Sequence, residues 1–451
     1  MKKVRIGSGG GYAGDRIEPA IEIVTKGNVD YIVFECLAER TIALAQQQKL
    51  MDPQKGYNEL LEYRMERIIP VCAQKKVKII TNMGAANPTA AMRVAKTIAS
   101  DLKISNLKIA AVLGDDVLSS IDQYMDFPIL ETREKVRDIR SKIISANAYL
   151  GVEGIIEALR EGADIVITGR VADPSLFLAP ILFELEWEKD NYDLVGKGIV
   201  TGHLLECGAQ ITGGYFADPG YKDVPDLWRV GFPIAEIYED GDVIITKLED
   251  EGGVITPATC TEQLLYEIHD PSSYITPDGI VDFSDVVFEE IATNKILVKG
   301  ATGKERPDLI KVSIGYKNCC IGEGEISYGG SGAYERAKLA KEIILKRLEY
   351  RNVPIEELRV DYIGVNSLYK DFISSRDHPE PSAVIEVRLR VAARTSNLED
   401  AKIIGNEVEA LYTNGPAGGG GARKYTQEIV SIASILIPRD KISIKVIYEE
   451  L

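Results

Sequence analysis

Across the first half of the chain, short β-branched runs alternate with longer amphipathic stretches, and this restricts the fold more than any other feature. Residues 4–6, 31–34, 77–81, 108–113 and 164–168 read as strands. Helical patterns lie between them at 17–25, 57–74 and 89–102, and from 138 to 161 with a break or kink expected at Gly151 and Gly154. Strands alternating with helix-length connections are the sign of βαβ units around a parallel sheet. The expected fold class is α/β: an N-terminal parallel open sheet with flanking helices, Rossmann-like and three-layered, then a mixed α+β domain and a small C-terminal α/β segment.

The texture changes near residue 215. Strands become shorter and turns acidic, as in Glu239-Asp240-Gly241-Asp242 ahead of Val243-Ile244-Ile245-Thr246, where Asp-Gly suits a tight β-hairpin. Residues 374–381, with Arg376, Asp377, His378 and Pro379, read as a loop. A strand at 383–391, a helix at 398–412, a glycine-rich loop at 414–421 and a strand at 442–448 complete the chain. The expected domains are therefore 1–214, carrying most site loops, 215–375, and 376–451. A length of 451 residues suits two or three such domains.

In an open parallel sheet, ligands bind beyond the carboxyl ends of the strands. The five endings here are Gly7-Ser8-Gly9-Gly10-Gly11, Glu35-Cys36-Leu37-Ala38-Glu39-Arg40, Asn82-Met83-Gly84-Ala85-Ala86-Asn87-Pro88, Gly114-Asp115-Asp116 and Gly169-Arg170-Val171-Ala172-Asp173-Pro174-Ser175. Each carries glycine, carboxylate, amide or arginine, and together they resemble the lining of a cleft. Gly9, Gly10, Gly11, Asp15, Arg16, Glu39, Asn82 and Asn87 are candidate ligand-binding residues on this edge, with Glu35, Asp115, Arg170 and Asp173 as catalytic candidates. Two later stretches are candidates to close over a ligand: Gly322 to Gly330, with Glu323 and Glu325, and the loop with Asn414, Gly418 and Gly419.

Gly9, Gly11 and Gly14 fit the G-x-G-x-x-G spacing, and Glu35 ends the next apolar strand about twenty residues on, as in a dinucleotide fold. The first good helix start is Glu18-Pro19, several residues late, and Asp15 would set negative charge beside a pyrophosphate. NAD(P) is therefore the less favoured cofactor. His203, Glu206 and Cys207 share a helix face at i, i+3 and i+4, which allows His203 a role as base and allows the three to be weak candidates for a divalent metal. Cys36 lacks a neighbouring histidine and reads as a buried apolar thiol rather than a nucleophile.

A formal net charge of −16 disfavours nucleic acid and anionic membrane as partners. Six cysteines with no C-x-x-C pair read as reduced thiols, and with no apolar run of membrane length a cytoplasmic location is expected. A homo-oligomer is expected.

Several stretches resemble the acyclic terpene utilisation family AtuA: Gly9-Gly10-Gly11-Tyr12-Ala13-Gly14-Asp15-Arg16, Phe34-Glu35-Cys36-Leu37-Ala38-Glu39-Arg40-Thr41, Thr168-Gly169-Arg170-Val171-Ala172-Asp173, Gly322-Glu323-Gly324-Glu325-Ile326-Ser327-Tyr328, and Tyr412 to Gly420. The resemblance covers nearly the whole chain. It implies a place in the catabolism of acyclic terpenes and branched acids, beside acyl-CoA enzymes, and so a small carboxylate or its CoA thioester as ligand. The expected activity is lyase or hydratase chemistry: Glu35 or His203 abstracts a proton α to the carbonyl, while loop N–H groups and Arg170 stabilise the enolate. An NAD(P)-dependent oxidoreductase and a non-catalytic ligand-binding or scaffold subunit are the alternatives.

Overall fold

The β-branched runs become the centre of a ten-stranded mixed sheet in the computed structural model, which describes residues 2–368 and 384–451. These are β1 (Lys3–Gly10), β2 (Tyr31–Phe34), β3 (Lys78–Thr81), β4 (Lys108–Leu113) and, after an intervening strand β5 (Ile143–Ala148), β6 (Ile165–Thr168). They pair in parallel in the order β1-β2-β3-β6-β4. All four residues of β2 and of β6 are buried, which is why both read as continuous apolar runs rather than as alternating ones.

The helices between them follow from local signals. In α1 (Glu18–Lys26), Pro19 occupies the first turn, where a missing N–H is harmless. The helix α2 (Glu39–Met51) starts directly beyond β2, α3 (Leu61–Lys75) closes on Lys76 at φ 58°, and α4 (Pro88–Asp101) is capped by the Asn87 side chain accepting from the Ala90 N–H.

The sheet is not purely parallel. Beyond β1 comes antiparallel β7 (Ile234–Tyr238), joined by the expected Asp240-Gly241 hairpin to β8 (Val243–Thr246), with Gly241 at φ +87°. The strands Lys295–Lys299 and Val287–Ala292 extend that side, and Lys445–Glu450 closes the other edge antiparallel to β4. In the dinucleotide-binding order the chain reverses beside its first strand. Here β1, β2 and β3 run consecutively, and the order changes only where β6 enters between β3 and β4.

The expected helix over 138–161 is replaced by a single turn, α5 (Val136–Ile139), then β5, then α6 (Glu153–Arg160). The segment Ile143–Ala148 pairs antiparallel with Val312–Tyr316. That partner lies far along the chain, so ladder pairing overrides the local helical pattern. Two further helices, α7 (Ser175–Leu185) and α8 (Tyr192–Glu206), follow β6.

Contacts divide the chain into two compact units. The first comprises residues up to Tyr316 together with Ile432–Leu451 and contains the ten-stranded sheet. The second, Lys317–Ser431, packs the helices Ala333–Tyr350 and Leu398–Glu409 through Ala337, Ile344, Ile404 and Val408 onto Leu389 and Val391 of the strand Glu386–Thr395. The loop expected at 374–381, with His378, lies outside the described residues. Among the described residues no helix is long and apolar enough to cross a membrane.

Candidate functional site

Parallel strands end at one edge, so the carboxyl ends of β1, β2, β3, β4 and β6 bring their loops together. At the end of β1 two glycines are sterically required. A side chain at Gly9 would meet the Phe34 ring at 2.7 Å, and one at Gly11 would meet the Cys207 backbone at 2.3 Å. The Gly11 N–H donates to Asp15 Oδ2 at 2.9 Å, and the Arg16 N–H to Asp15 Oδ1 at 2.9 Å. The loop thus turns these donors onto its own carboxylate, where a dinucleotide loop would offer them to phosphate. Arg16 itself reaches the Val230 carbonyl at 2.8 Å.

At the end of β2, Glu35 is buried and held by amides. Its Oε1 accepts from the Leu37 N–H and from Asn82 Nδ2 at the end of β3, each at 2.9 Å, while Asn82 Oδ1 accepts from the Cys36 N–H at 2.7 Å. Burial, reinforced by the Asp173 carboxylate, pushes Glu35 well above the usual carboxylate range; Arg170 and the two hydrogen bonds oppose this without prevailing.

Arg170 follows β6 and is fully buried. Its backbone N–H donates to Asp115 Oδ2 at 2.9 Å. The guanidinium donates to the Val171 carbonyl from Nε at 2.8 Å and from Nη2 at 2.6 Å, to the Leu37 carbonyl from Nη1 at 2.6 Å, and to Asp173. Most of its five N–H donors are therefore spent within the protein, which leaves no free pair for a two-pronged grip on a carboxylate. Asp115 also accepts from Asn147 Nδ2 at 3.0 Å, and burial lifts it to about 6 despite these bonds. Tyr149 lies under the Arg170 guanidinium, 4.7 Å from the ring centroid, and donates its hydroxyl to Glu39. Burial pushes Glu39 up, but the Tyr149 hydroxyl, a backbone N–H and the charges of Lys311 and Arg170 together hold it at about 2. Lys311 Nζ is 3.2 Å from Glu39. Asp173 is raised by burial and by Glu39, against the pull of Arg170.

His203 and Glu206 lie in the last turn of α8, where the sequence puts them on one face. His203 Nε2 is 3.0 Å from the Leu264 carbonyl, which can only accept, so Nε2 carries hydrogen; Nδ1 faces Glu206 Oε1 at 2.8 Å. Burial lifts Glu206 to about 7 against the pull of His203. Burial opposes the charge on His203, but Glu206 and the Leu264 carbonyl outweigh it and raise the imidazole above its ordinary value. Cys207 caps the helix and is pushed up by burial. Both ring nitrogens of His203 are engaged. Among the described residues no three His, Cys, Asp or Glu side chains converge to hold a metal ion; His203 and Glu206 form a pair, and Cys207 ends the helix through its backbone N–H, which donates to the Leu205 carbonyl.

Two hollows open on this edge. One, of about 420 Å³, is lined by Ala13, Cys36, Leu37, Leu44, Tyr57 and Leu60 among others and is mainly apolar. The other, of about 230 Å³, is lined by Tyr149, Asp173, Tyr274, Pro277 and Lys311. Arg170 bonds both the Leu37 carbonyl of the first and Asp173 of the second.

The structure thus gathers Glu35, Glu39, Asn82, Asp115, Arg170 and Asp173 into one network. Asn87 instead serves as a helix cap, its amide donating to the Pro53 carbonyl at 2.9 Å and the Lys55 carbonyl at 2.8 Å. In the second unit, Glu323 pairs with Arg390 and Glu325 with Arg388 at 2.6 Å. Asn414 donates to the Ala410 carbonyl at 3.2 Å, Gly418 has φ +74° in open space, and Gly419 lies beside the Tyr328 ring. The sequence reading missed Asn147, Tyr149, Tyr274 and Lys311. Asn147 and Tyr149 belong to β5 and its end, read there as helix; their i, i+2 spacing was the available signal.

The model of one protein family, described as acyclic terpene utilisation family protein AtuA, matches residues 4–448. No curated protein and no solved structure matches the chain.

Proposed function

The chain belongs to the acyclic terpene utilisation family AtuA, and on that premise we propose that it is a catabolic enzyme that moves a proton α to the carbonyl of a small carboxylate or its CoA thioester. The observation that carries this reading is Glu35, a carboxyl buried at a strand end, supported by amides rather than by a contacting cation, and biased by burial toward its neutral form. A carboxyl so tuned exchanges protons with carbon near neutral pH, which an ordinary surface carboxylate does poorly.

Lyase or hydratase chemistry suits this arrangement. Glu35 takes the α-proton in elimination and returns it in addition, while the Arg170 field and Lys311 stabilise negative charge on the carbonyl oxygen. The apolar hollow beside Cys36 and Leu37 takes a branched or acyclic chain. The NAD(P) alternative has the glycine spacing in its favour, but Asp15 already accepts from the Gly11 N–H that a pyrophosphate would need. A non-catalytic subunit could keep both hollows, yet it has no use for a carboxyl tuned to exchange protons.

Glu35→Gln keeps the acceptor for Leu37 and Asn82 and removes only the exchangeable proton. Assayed on branched 2-enoyl-CoA and 3-hydroxyacyl-CoA thioesters, it should lower turnover by about 10²–10⁴-fold. Undiminished turnover would remove Glu35 from the chemistry.

A further inference from the structure

Glu206 ends α8 with one oxygen held and the other free. Oε1 faces His203 at 2.8 Å, whereas Oε2 is buried and has no hydrogen-bond partner among the described residues. Gln263, whose Nε2 donates to the His203 carbonyl at 2.9 Å, likewise keeps a buried Oε1 without a donor. A buried acceptor left unpaired is costly, so two of them around one dyad point to a bound donor that completes the site.

The dyad adjoins the same cleft through its neighbours. The His203 ring packs on Tyr274, with centroids 5.4 Å apart, and Tyr274 lines the 230 Å³ hollow together with Asp173. On the other side Cys207, the residue after Glu206, abuts Gly11 at the end of β1, the parallel neighbour of the strand that ends in Glu35.

We propose that Glu206, held from behind by His203, is a second acid–base group of this cleft and handles the proton of an oxygen that adds to, or leaves, the β-carbon of the ligand. The proposal rests on the reading of Glu35 as the group at the α-carbon. In addition, the Glu206 carboxylate takes a proton from water, the water oxygen bonds to the β-carbon, the π pair moves to the α-carbon, and the Glu35 carboxyl delivers its proton there. The water O–H bond, the Glu35 O–H bond and the C=C π bond break, the Glu206 O–H, C–O and C–H bonds form, solvent then takes the proton from Glu206 and returns one to Glu35, and no oxidant or reductant enters. Elimination runs the same steps backwards. His203 is a positioning residue: its Nε2–H on the Leu264 carbonyl turns Nδ1 toward Glu206, and the proton held between Nδ1 and Oε1 fixes that oxygen and leaves Oε2 to gain the proton from water.

The charged and titratable groups around Glu206 are His203, Cys207, Asp173, Glu267 and Tyr274. Addition needs Glu206 ionised, so its rate should fall as pH drops below about 7. It also needs Glu35 protonated, which supplies a second, alkaline fall.

The test uses 3-hydroxy-3-methylbutanoyl-CoA in D₂O, with α-proton exchange and elimination followed together by NMR. Glu206→Gln should retain exchange while elimination falls by about 100-fold or more, and Glu206→Asp should recover part of it. Glu35→Gln should lose both. His203→Gln should move the acidic limb of the pH profile, a shift that a purely structural role would not produce. Elimination by Glu206→Gln at the wild-type rate overturns this proposal and leaves the Glu35 reading standing. Exchange by Glu35→Gln at the wild-type rate overturns the Glu35 reading, and a wild-type protein that neither exchanges nor eliminates overturns both. Nitrogen-15 spectra of the wild-type histidines give a measure independent of any variant: His203 must show a protonated Nε2 at neutral pH, and a bare Nε2 overturns the dyad.

Discussion

Glu325 in the second unit lies 2.6 Å from the Arg388 guanidinium, whereas among the described residues Glu35 in the first has amide donors alone, the Leu37 N–H and the Asn82 side chain, each at 2.9 Å. The contrast extends to their neighbours. Glu323 meets Arg390, and Asp361 meets Arg390 at 3.1 Å and Arg359 at 2.8 Å, so each of these three acids has a guanidinium across the sheet or along its strand. On the first unit's cleft edge, Asp115 is held by an amide side chain and a backbone N–H, and Glu206 by an imidazole. An acid clasped by a partly exposed guanidinium across the sheet is used in holding the strands together. An acid held by neutral groups in a dry site stays free to gain or lose a proton, which is what chemistry requires.

The largest effect should come from setting the two glutamates against each other. Glu35→Gln should lower turnover by about 10²–10⁴-fold, while Glu325→Gln leaves it unchanged; equal losses in steady-state assays would erase the distinction. Next in size is the cation of each region. Arg170→Met strands Asp173 and the carbonyls of Leu37 and Val171, and should cost about 3–5 kcal/mol in urea unfolding. Arg390→Met, on a partly exposed pair, should cost about 1 kcal/mol or less. Similar costs would mean that the second unit's network is as tightly bound into its core as Arg170 is.

The pH dependence of stability sharpens the comparison further. Folding raises the Glu35 value above the 4.5 of an ordinary glutamate, so the folded chain holds a proton that the unfolded chain has released. Its contribution is therefore fully present below pH 4.5 and is lost as pH rises toward the folded value, by about 1.4 kcal/mol per unit. Glu35→Gln should escape this loss, so its stability relative to wild type should increase between pH 5 and pH 8 in thermal or urea unfolding. A difference independent of pH would show that Glu35 is ionised in the folded protein. Smallest is the effect of filling the apolar hollow. Ala45, buried on its wall, when changed to Leu should raise KM for branched acyl thioesters by about tenfold with little change in kcat. A change in kcat alone would move the chain of the ligand to the other hollow.

Much of the fold was legible because its signals are local. The β-branched runs that became β1, β2, β3, β4 and β6, Pro19 at a helix start, and the Asp240-Gly241 turn each act within a few residues. The segment 143–148 was misread because its identity as a strand comes from Val312–Tyr316, which it meets only after folding. That error hid Asn147 and Tyr149, two of the groups that hold Asp115 and Glu39. That Glu35, Asn82, Arg170 and Asp173 lie together follows from the sequence because strand ends of a parallel sheet share one edge whatever the order of the strands. Gly11 stood out for its spacing, but its N–H proved to be taken by Asp15, and its lack of a side chain is what admits the Cys207 backbone.

The sequence by itself determined that five strands would run parallel and present their polar endings together, since apolar run length and turn chemistry are properties of neighbours along the chain. Only the tertiary structure decided which of those polar groups would be ionic and which neutral. Glu35 takes its amide donor from Asn82, 47 residues away, and the Arg170 guanidinium clasps the Leu37 carbonyl across 133 residues. A carboxyl's proton affinity is set by what surrounds it in space, and those surroundings exist only once the strands have paired.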